Sequence, residues 1–151
     1  MSTEKYFIDK DITVLCVEAE SFPDGVQSAH QKLHALFEGD ERKFYGISWS
    51  DGKGGIIYKS AAEELHKGEA KKFKAESFII RKGEYISTVL KDWYKDESLV
   101  GKTFQKLLAD PRIDKNGCCL EMYLNEKDMR CLVPLTPSSA RVKQRIFPIF
   151  F

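Results

Sequence analysis

One order of elements occurs twice along this chain, and it constrains the fold more than any other feature. Residues 12–19, Ile-Thr-Val-Leu-Cys-Val-Glu-Ala, crowd β-branched and apolar types together and read as a first strand. Phe22-Pro23-Asp24-Gly25 then turns the chain. Val26, Ala29, His30, Leu33, Leu36 and Phe37 recur at helical spacing with Gly39 as a stop, which predicts an amphipathic helix over about 24–38. Phe44 to Trp49 and Gly55 to Ser60 flank Ser50-Asp51-Gly52-Lys53-Gly54 and predict an antiparallel hairpin. The charged run Glu63 to Ala70 reads as a connecting loop.

The second half repeats this order. Phe73 to Ile80 and Glu84 to Leu90 read as strands on either side of Lys82-Gly83, and a helix starts at Ser98 with Val100, Phe104, Leu107 and Leu108 as its buried stripe. Pro111 ends that helix, because the residue before a proline is pushed out of the α region. Cys118 to Asn125 and Met129 to Leu135 follow as a hairpin joined by Glu126-Lys127-Asp128. The expectation is an α+β fold of two strand-helix-strand-strand modules, their antiparallel sheet carrying two helices on one face and a ligand groove on the other. Period-two alternation splits 118–125 into an apolar row, Leu120, Met122 and Leu124, and a second row, Cys119, Glu121, Tyr123 and Asn125. The apolar row is assigned to the space under the helices and the Glu121 row to the uncovered face.

Composition removes several function classes. At 151 residues the chain has the size of one domain. Its 24 Lys and Arg stand against 23 Asp and Glu, so no basic excess points to nucleic acid. No stretch approaches the roughly 20 apolar residues that span a bilayer, and the N-terminus lacks a signal-type apolar region. These features predict a cytoplasmic protein with no membrane partner. Cys16, Cys118, Cys119 and Cys131 show no C-x-x-C spacing, and free thiols are favoured over a bridge from Cys118 or Cys119 to Cys131.

Phe44-Tyr45-Gly46-Ile47-Ser48, Gly55-Ile56-Ile57-Tyr58, Phe78 through Tyr85, Asp92-Trp93, Leu107 through Arg112 and above all Leu120-Glu121-Met122-Tyr123-Leu124 followed by Val133-Pro134-Leu135 carry a likeness. In their order they resemble the gyrase-inhibitor-like (GyrI-like) small-molecule-binding family, whose fold also serves as the effector-binding domain of AraC-type regulators. The resemblance covers roughly 11–135, so 1–135 is taken as the domain and 136–151 as a C-terminal tail. Many relatives carry a proline where Arg81-Lys82-Gly83 stands here.

The resemblance implies binding of hydrophobic, cationic or planar small molecules in a groove centred on Glu121. Candidate walls are Tyr123, Trp93, Tyr58, Tyr85 and Trp49. It also implies an alternative, hydrolysis of cyclopropane-bearing reactive compounds with Glu121 activating water, and a third reading, inhibition of a topoisomerase, to which the near-neutral charge lends little. No helix-turn-helix region precedes the first strand, so direct operator binding is not expected.

Other constellations carry less. His30 and His34 stand four residues apart on the first helix, as two metal ligands would, but no third ligand follows at a recognisable spacing and packing histidines are expected. No metal or cofactor is implied. Gly52-Lys53-Gly54-Gly55 opens no helix and reads as a turn, and Ser48 and Ser87 lack a histidine partner. The tail ends in Ile146-Phe147-Pro148-Ile149-Phe150-Phe151, an apolar run that would pack back on the domain, occupy a neighbour's groove or anchor a homodimer.

Overall fold

The structure, a computed structural model, describes residues 2–39 and 41–137. The expectations for the tail beyond Pro137 lie outside the described residues. The order is β1 (Glu4–Ile8), β2 (Ile12–Glu18), α1 (Val26–Leu36), β3 (Phe44–Ser50), β4 (Ile56–Glu63), α2 (Glu69–Phe73), β5 (Glu76–Ile80), β6 (Gly83–Leu90), a 3-10 turn at Trp93–Lys95, α3 (Ser98–Leu108), β7 (Cys119–Tyr123) and β8 (Met129–Pro134). The fold is α+β, and the repeated strand-helix-hairpin order is present in it. Two elements differ from expectation. Glu4–Ile8 is a further strand, and the segment read as a loop into a long strand instead forms the short helix α2. That helix is stopped by Lys74 in a left-handed conformation at φ 53°.

The strands form one antiparallel sheet in the order β1-β6-β8-β7-β3-β4-β2-β5. That order dictates a curl. β1 and β2 are consecutive in sequence yet six strand intervals apart in the sheet, about 29 Å if it were flat. Four Cα steps from Ile8 to Ile12 span at most about 14 Å. β5 and β6, also six intervals apart, are joined just as shortly and do not pair with one another. The sheet therefore bends into a half-barrel whose opening both connections cross.

The curl gives the two faces different company. Tyr6, Val14, Cys16, Tyr45, Ile47, Phe78, Tyr85, Leu120, Met122 and Leu132 point inward and pack on one another with no helical residue among them. On the outer face Leu33 of α1 and Phe37 just after it pack with Leu15 and Ala62. α3 lays Leu99, Val100, Phe104 and Leu107 on Cys119, Tyr123, Cys131 and Val133. The row assignment made from alternation is thus reversed: Leu120 and Met122 face the inside of the curl, whereas Cys119 and Tyr123 lie on the helix side. Leu124 is exposed and Asn125 belongs to the loop. The physical reason is that a sheet bent on itself must fill its interior with its own apolar row, so helices take the row that remains.

The Glu121 row accordingly lies on the helical face. α1 rests on β4 and β2, and α3 rests on β8 and β6. β7 and β3, at the centre of the sheet, lie between those two pairs of strands. Among the described residues no helix is long and apolar enough to cross a membrane. All four cysteines are free thiols, Cys16 and Cys131 buried, and burial pushes the Cys16 thiol up to about 12.

Candidate functional site

Glu121 sits in mid-β7 with its side chain on the helical face of the sheet, and two phenols hold it. The Tyr58 hydroxyl donates to Glu121 Oε1 at 2.5 Å and the Tyr123 hydroxyl donates to the same oxygen at 2.8 Å. Tyr58 comes from β4, two strands away, and reaches across β3. It can do so because the β3 residue paired with Glu121 is Gly46. A Cβ at Gly46 would overlap both Glu121 Oε1 and the Tyr58 hydroxyl. A glycine inside a strand pattern marks such a close approach, and Gly46 within Phe44 to Trp49 is that signal in the sequence.

The helix side adds His30 of α1. Its Nε2 lies 2.8 Å from the Tyr58 hydroxyl and 3.2 Å from that of Tyr123, and its Nδ1 lies 2.5 Å from Ser60 Oγ. His30 is thus part of the site and not only a packing residue. His34, one turn on, stacks on Phe44 at 4.0 Å and takes no part. Among the described residues no group of three or more His, Cys, Asp or Glu could hold a metal ion.

Electrostatics sets this carboxylate apart. Burial pushes the Glu121 carboxyl above its ordinary value, and the two tyrosine hydrogen bonds pull the other way without cancelling it. Burial, then the neighbouring Glu121 charge, drives the Tyr58 and Tyr123 hydroxyls far up, so both remain protonated donors. Burial, with a smaller push from His34, lowers His30 to about 4, which leaves it neutral over the working range. Every donor around Glu121 among the described residues is therefore uncharged. Its Oε1 takes both phenols, and Oε2 accepts no hydrogen bond from the described residues.

Aromatic groups surround the cluster. Trp93 tilts against Tyr123 with centroids 5.9 Å apart, and its indole N–H is sealed from solvent without an acceptor among the described residues. Asp92, left-handed at φ 54°, aims that turn. Hydrogen bonds from Asp92 N to Asp128 Oδ1 and from Trp93 N to the Lys127 carbonyl tie it to the β7–β8 loop. Phe22, half-exposed in the turn before α1, stacks on Tyr58 at 6.0 Å. Neither Phe22 nor Ser60 was singled out from sequence, since loop aromatics and strand serines carry no pattern of their own.

Of the residues expected to line one groove, Glu121, Tyr123, Tyr58 and Trp93 come together. Tyr85 and Trp49 do not join them. Tyr85 is buried inside the curl, donates to the Arg81 carbonyl at 2.5 Å and is pushed up to about 12 mainly by burial. Trp49 stacks on Phe78 on the same inner face, with the Lys59 ammonium 5.5 Å from its ring. Both are aromatics on strands, and which face of the sheet they take relative to a neighbouring strand cannot be read without the register.

No protein-family model matches the chain, and no curated protein matches it by sequence. Solved structures do share the fold. A protein named SAV2435, solved bound to tetraphenylphosphonium, superposes with a TM-score of 0.62 at 10% identity over 90% of this chain and 94% of that one. An integron cassette protein from the mobile metagenome of Vibrio cholerae gives 0.62 at 13% identity over 89% and 95%. A hydrolase from Listeria innocua gives 0.54 at 17% identity over 89% and 91%.

Proposed function

We propose that the space between α1 and α3, over β7 and β3, is a cleft that binds hydrophobic, cationic or planar small molecules, as a sensing or sequestering module of the GyrI-like kind. The observation that supports this most is the state of Glu121: a carboxylate in a partly dry aromatic cleft, held on one oxygen by neutral donors and open on the other. No cation of the chain compensates it among the described residues, so a ligand cation gains an attraction that bulk water would screen. Faces of Tyr58, Tyr123, Trp93 and Phe22 add cation–π attraction of roughly 0.5–2 kcal/mol each. The shared fold of SAV2435, solved with a lipophilic phosphonium cation, agrees with this reading.

Titration of the wild type and Glu121→Gln with tetraphenylphosphonium and a panel of fluorescent aromatic cations tests it. Affinity in the wild type and its loss by at least about tenfold in the Gln variant, equivalent to about 1.4 kcal/mol, is the expected result. Equal affinities for the two proteins would sink the reading.

One observation favours a second reading. A carboxylate raised toward working pH with a free oxygen is suited to general-base catalysis, and a hydrolase shares the fold. Glu121 would take a proton from water while the water oxygen bonds to a strained cyclopropane carbon. The broken ring bond would send its electrons into a conjugated acceptor, which is then protonated. Breakdown of a cyclopropane-bearing alkylator by the wild type and not by Glu121→Gln distinguishes this from binding alone.

A further inference from the structure

We infer that His30, locked by Ser60 into its Nε2–H tautomer, is a positioning residue that directs the Tyr58 proton onto Glu121 Oε1, where Tyr123 also donates, while Oε2 is left for the ligand. The inference rests on the binding reading of the cleft and deepens it by assigning the residues that prepare the carboxylate.

The argument is a count of protons. Tyr58 has one hydroxyl proton and spends it on Glu121 Oε1 at 2.5 Å, the shortest hydrogen bond in the cluster together with the Ser60–His30 contact. It cannot also donate to His30, so across their 2.8 Å separation His30 Nε2 must donate to the Tyr58 oxygen. A neutral imidazole with a proton on Nε2 has a bare Nδ1, which must accept. The group 2.5 Å from Nδ1 is the Ser60 hydroxyl, which can donate. Ser60 is fully buried, so this proton has no solvent alternative.

The chain thus runs one way: Ser60 to His30, His30 to Tyr58, Tyr58 to Glu121. Tyr123, 3.2 Å from His30 Nε2 and 3.4 Å from the Tyr58 oxygen, contributes its own proton to Glu121 Oε1. The opposite tautomer would put a lone pair on Nε2, draw the Tyr58 proton toward the imidazole and loosen its grip on the carboxylate. The groups facing His30 are Tyr58, Ser60 and Tyr123 from the sheet and His34 from its own helix, and none is a carboxylate that would charge the ring. Burial keeps it neutral, so it orients the site without supplying a competing cation.

Nitrogen-15 NMR of the ligand-free protein reads the tautomer directly, and ligand titrations of His30→Gln, His30→Leu and Ser60→Ala read its consequence. The wild type is expected to show a protonated Nε2 and a bare Nδ1, with a mixture of tautomers in Ser60→Ala. His30→Gln, which keeps a neutral donor toward Tyr58, should bind tetraphenylphosphonium within about threefold of the wild type, whereas His30→Leu loses about tenfold. A protonated Nδ1 in the wild type overturns the inference, as does equal weakening by Gln and Leu in variants whose circular dichroism shows a native fold. The tautomer is measured without ligand, so absence of cation binding in the wild type would sink the binding reading while leaving the direction of the hydrogen bonds readable.

Discussion

The two faces of the curled sheet solve opposite problems with the same strands. The inner face collects large apolar side chains from nearly every strand and closes on itself; Ile47, Leu132 and Ala61 have no solvent exposure there. The outer face is apolar only beneath each helix, and along β7 and β3 between them it carries a carboxylate, a phenol and a glycine, met by a second phenol from β4 and an imidazole from α1. On the inner face the strands stabilise the fold by burying area. On the outer face a buried carboxylate costs stability, as its raised proton affinity shows. The difference teaches that a sheet able to form a core with one face is free to build a site with the other.

The comparison can be broken from either side. Leu132→Ala should have the largest effect on stability, about 2–5 kcal/mol of lost unfolding free energy in denaturant melts, with cation affinity changed less than twofold at temperatures where the variant is folded. A comparable loss of affinity would mean that the faces are not independent. Gly46→Ala should cost about 1–3 kcal/mol, because its Cβ forces Glu121 and Tyr58 apart. Unlike the Leu132 change, it should also abolish measurable cation binding in a calorimetric titration.

Glu121→Gln sharpens the contrast through pH. The folded-state carboxyl titrates above its unfolded value, so its contribution to stability is fully present below the unfolded pKa of about 4.5 and lost as pH rises through the folded value. The wild type should therefore be less stable than the Gln variant at neutral pH, with the gap closing as pH falls toward 4.5. Cation affinity should move the opposite way, rising with pH over the same window as Glu121 ionises. His30 has the reverse sign: its lowered value means stability present above about 6.5 and lost as pH falls toward about 4. Thermal melts of His30→Gln should lack that acid-side loss. The smallest expected effect is at Trp49→Phe, which sits on the inner face and should leave cation affinity within twofold of the wild type.

Much of this was legible. Hydrophobic alternation and the turn residues predicted β2, α1, the β3–β4 and β7–β8 hairpins and α3 within a few residues of their observed bounds. Glu121 stood out through the resemblance of Leu120-Glu121-Met122-Tyr123-Leu124 to the GyrI-like family, while alternation gave only the row that it shares with Tyr123. What sequence could not supply was the sheet order. Register and strand order decide that the Leu120 row fills a curl, that Tyr58 crosses β3 to reach Glu121, and that Tyr85 and Trp49 face away. β1 carries the same alternation through Tyr6 and Ile8, but five residues ahead of a stronger strand give a weak signal. His30 lay on the expected helical stripe, and only the approach of β4 beneath it converts a packing residue into a hydrogen-bonding one.

The most direct test of the central claim is a crystal structure with tetraphenylphosphonium bound. Two cavities compete for it, both reaching the inner face: one of about 580 Å³ beside Phe78, Tyr85 and Leu120, and one of about 610 Å³ beside Tyr6, Tyr45 and Met122. The account predicts the cation on the helical face, between α1 and α3, with its charge beside Glu121 Oε2 and its rings against Tyr58, Tyr123 and Trp93. A cation seated in either inner cavity, with the Glu121 cluster unchanged, would contradict it.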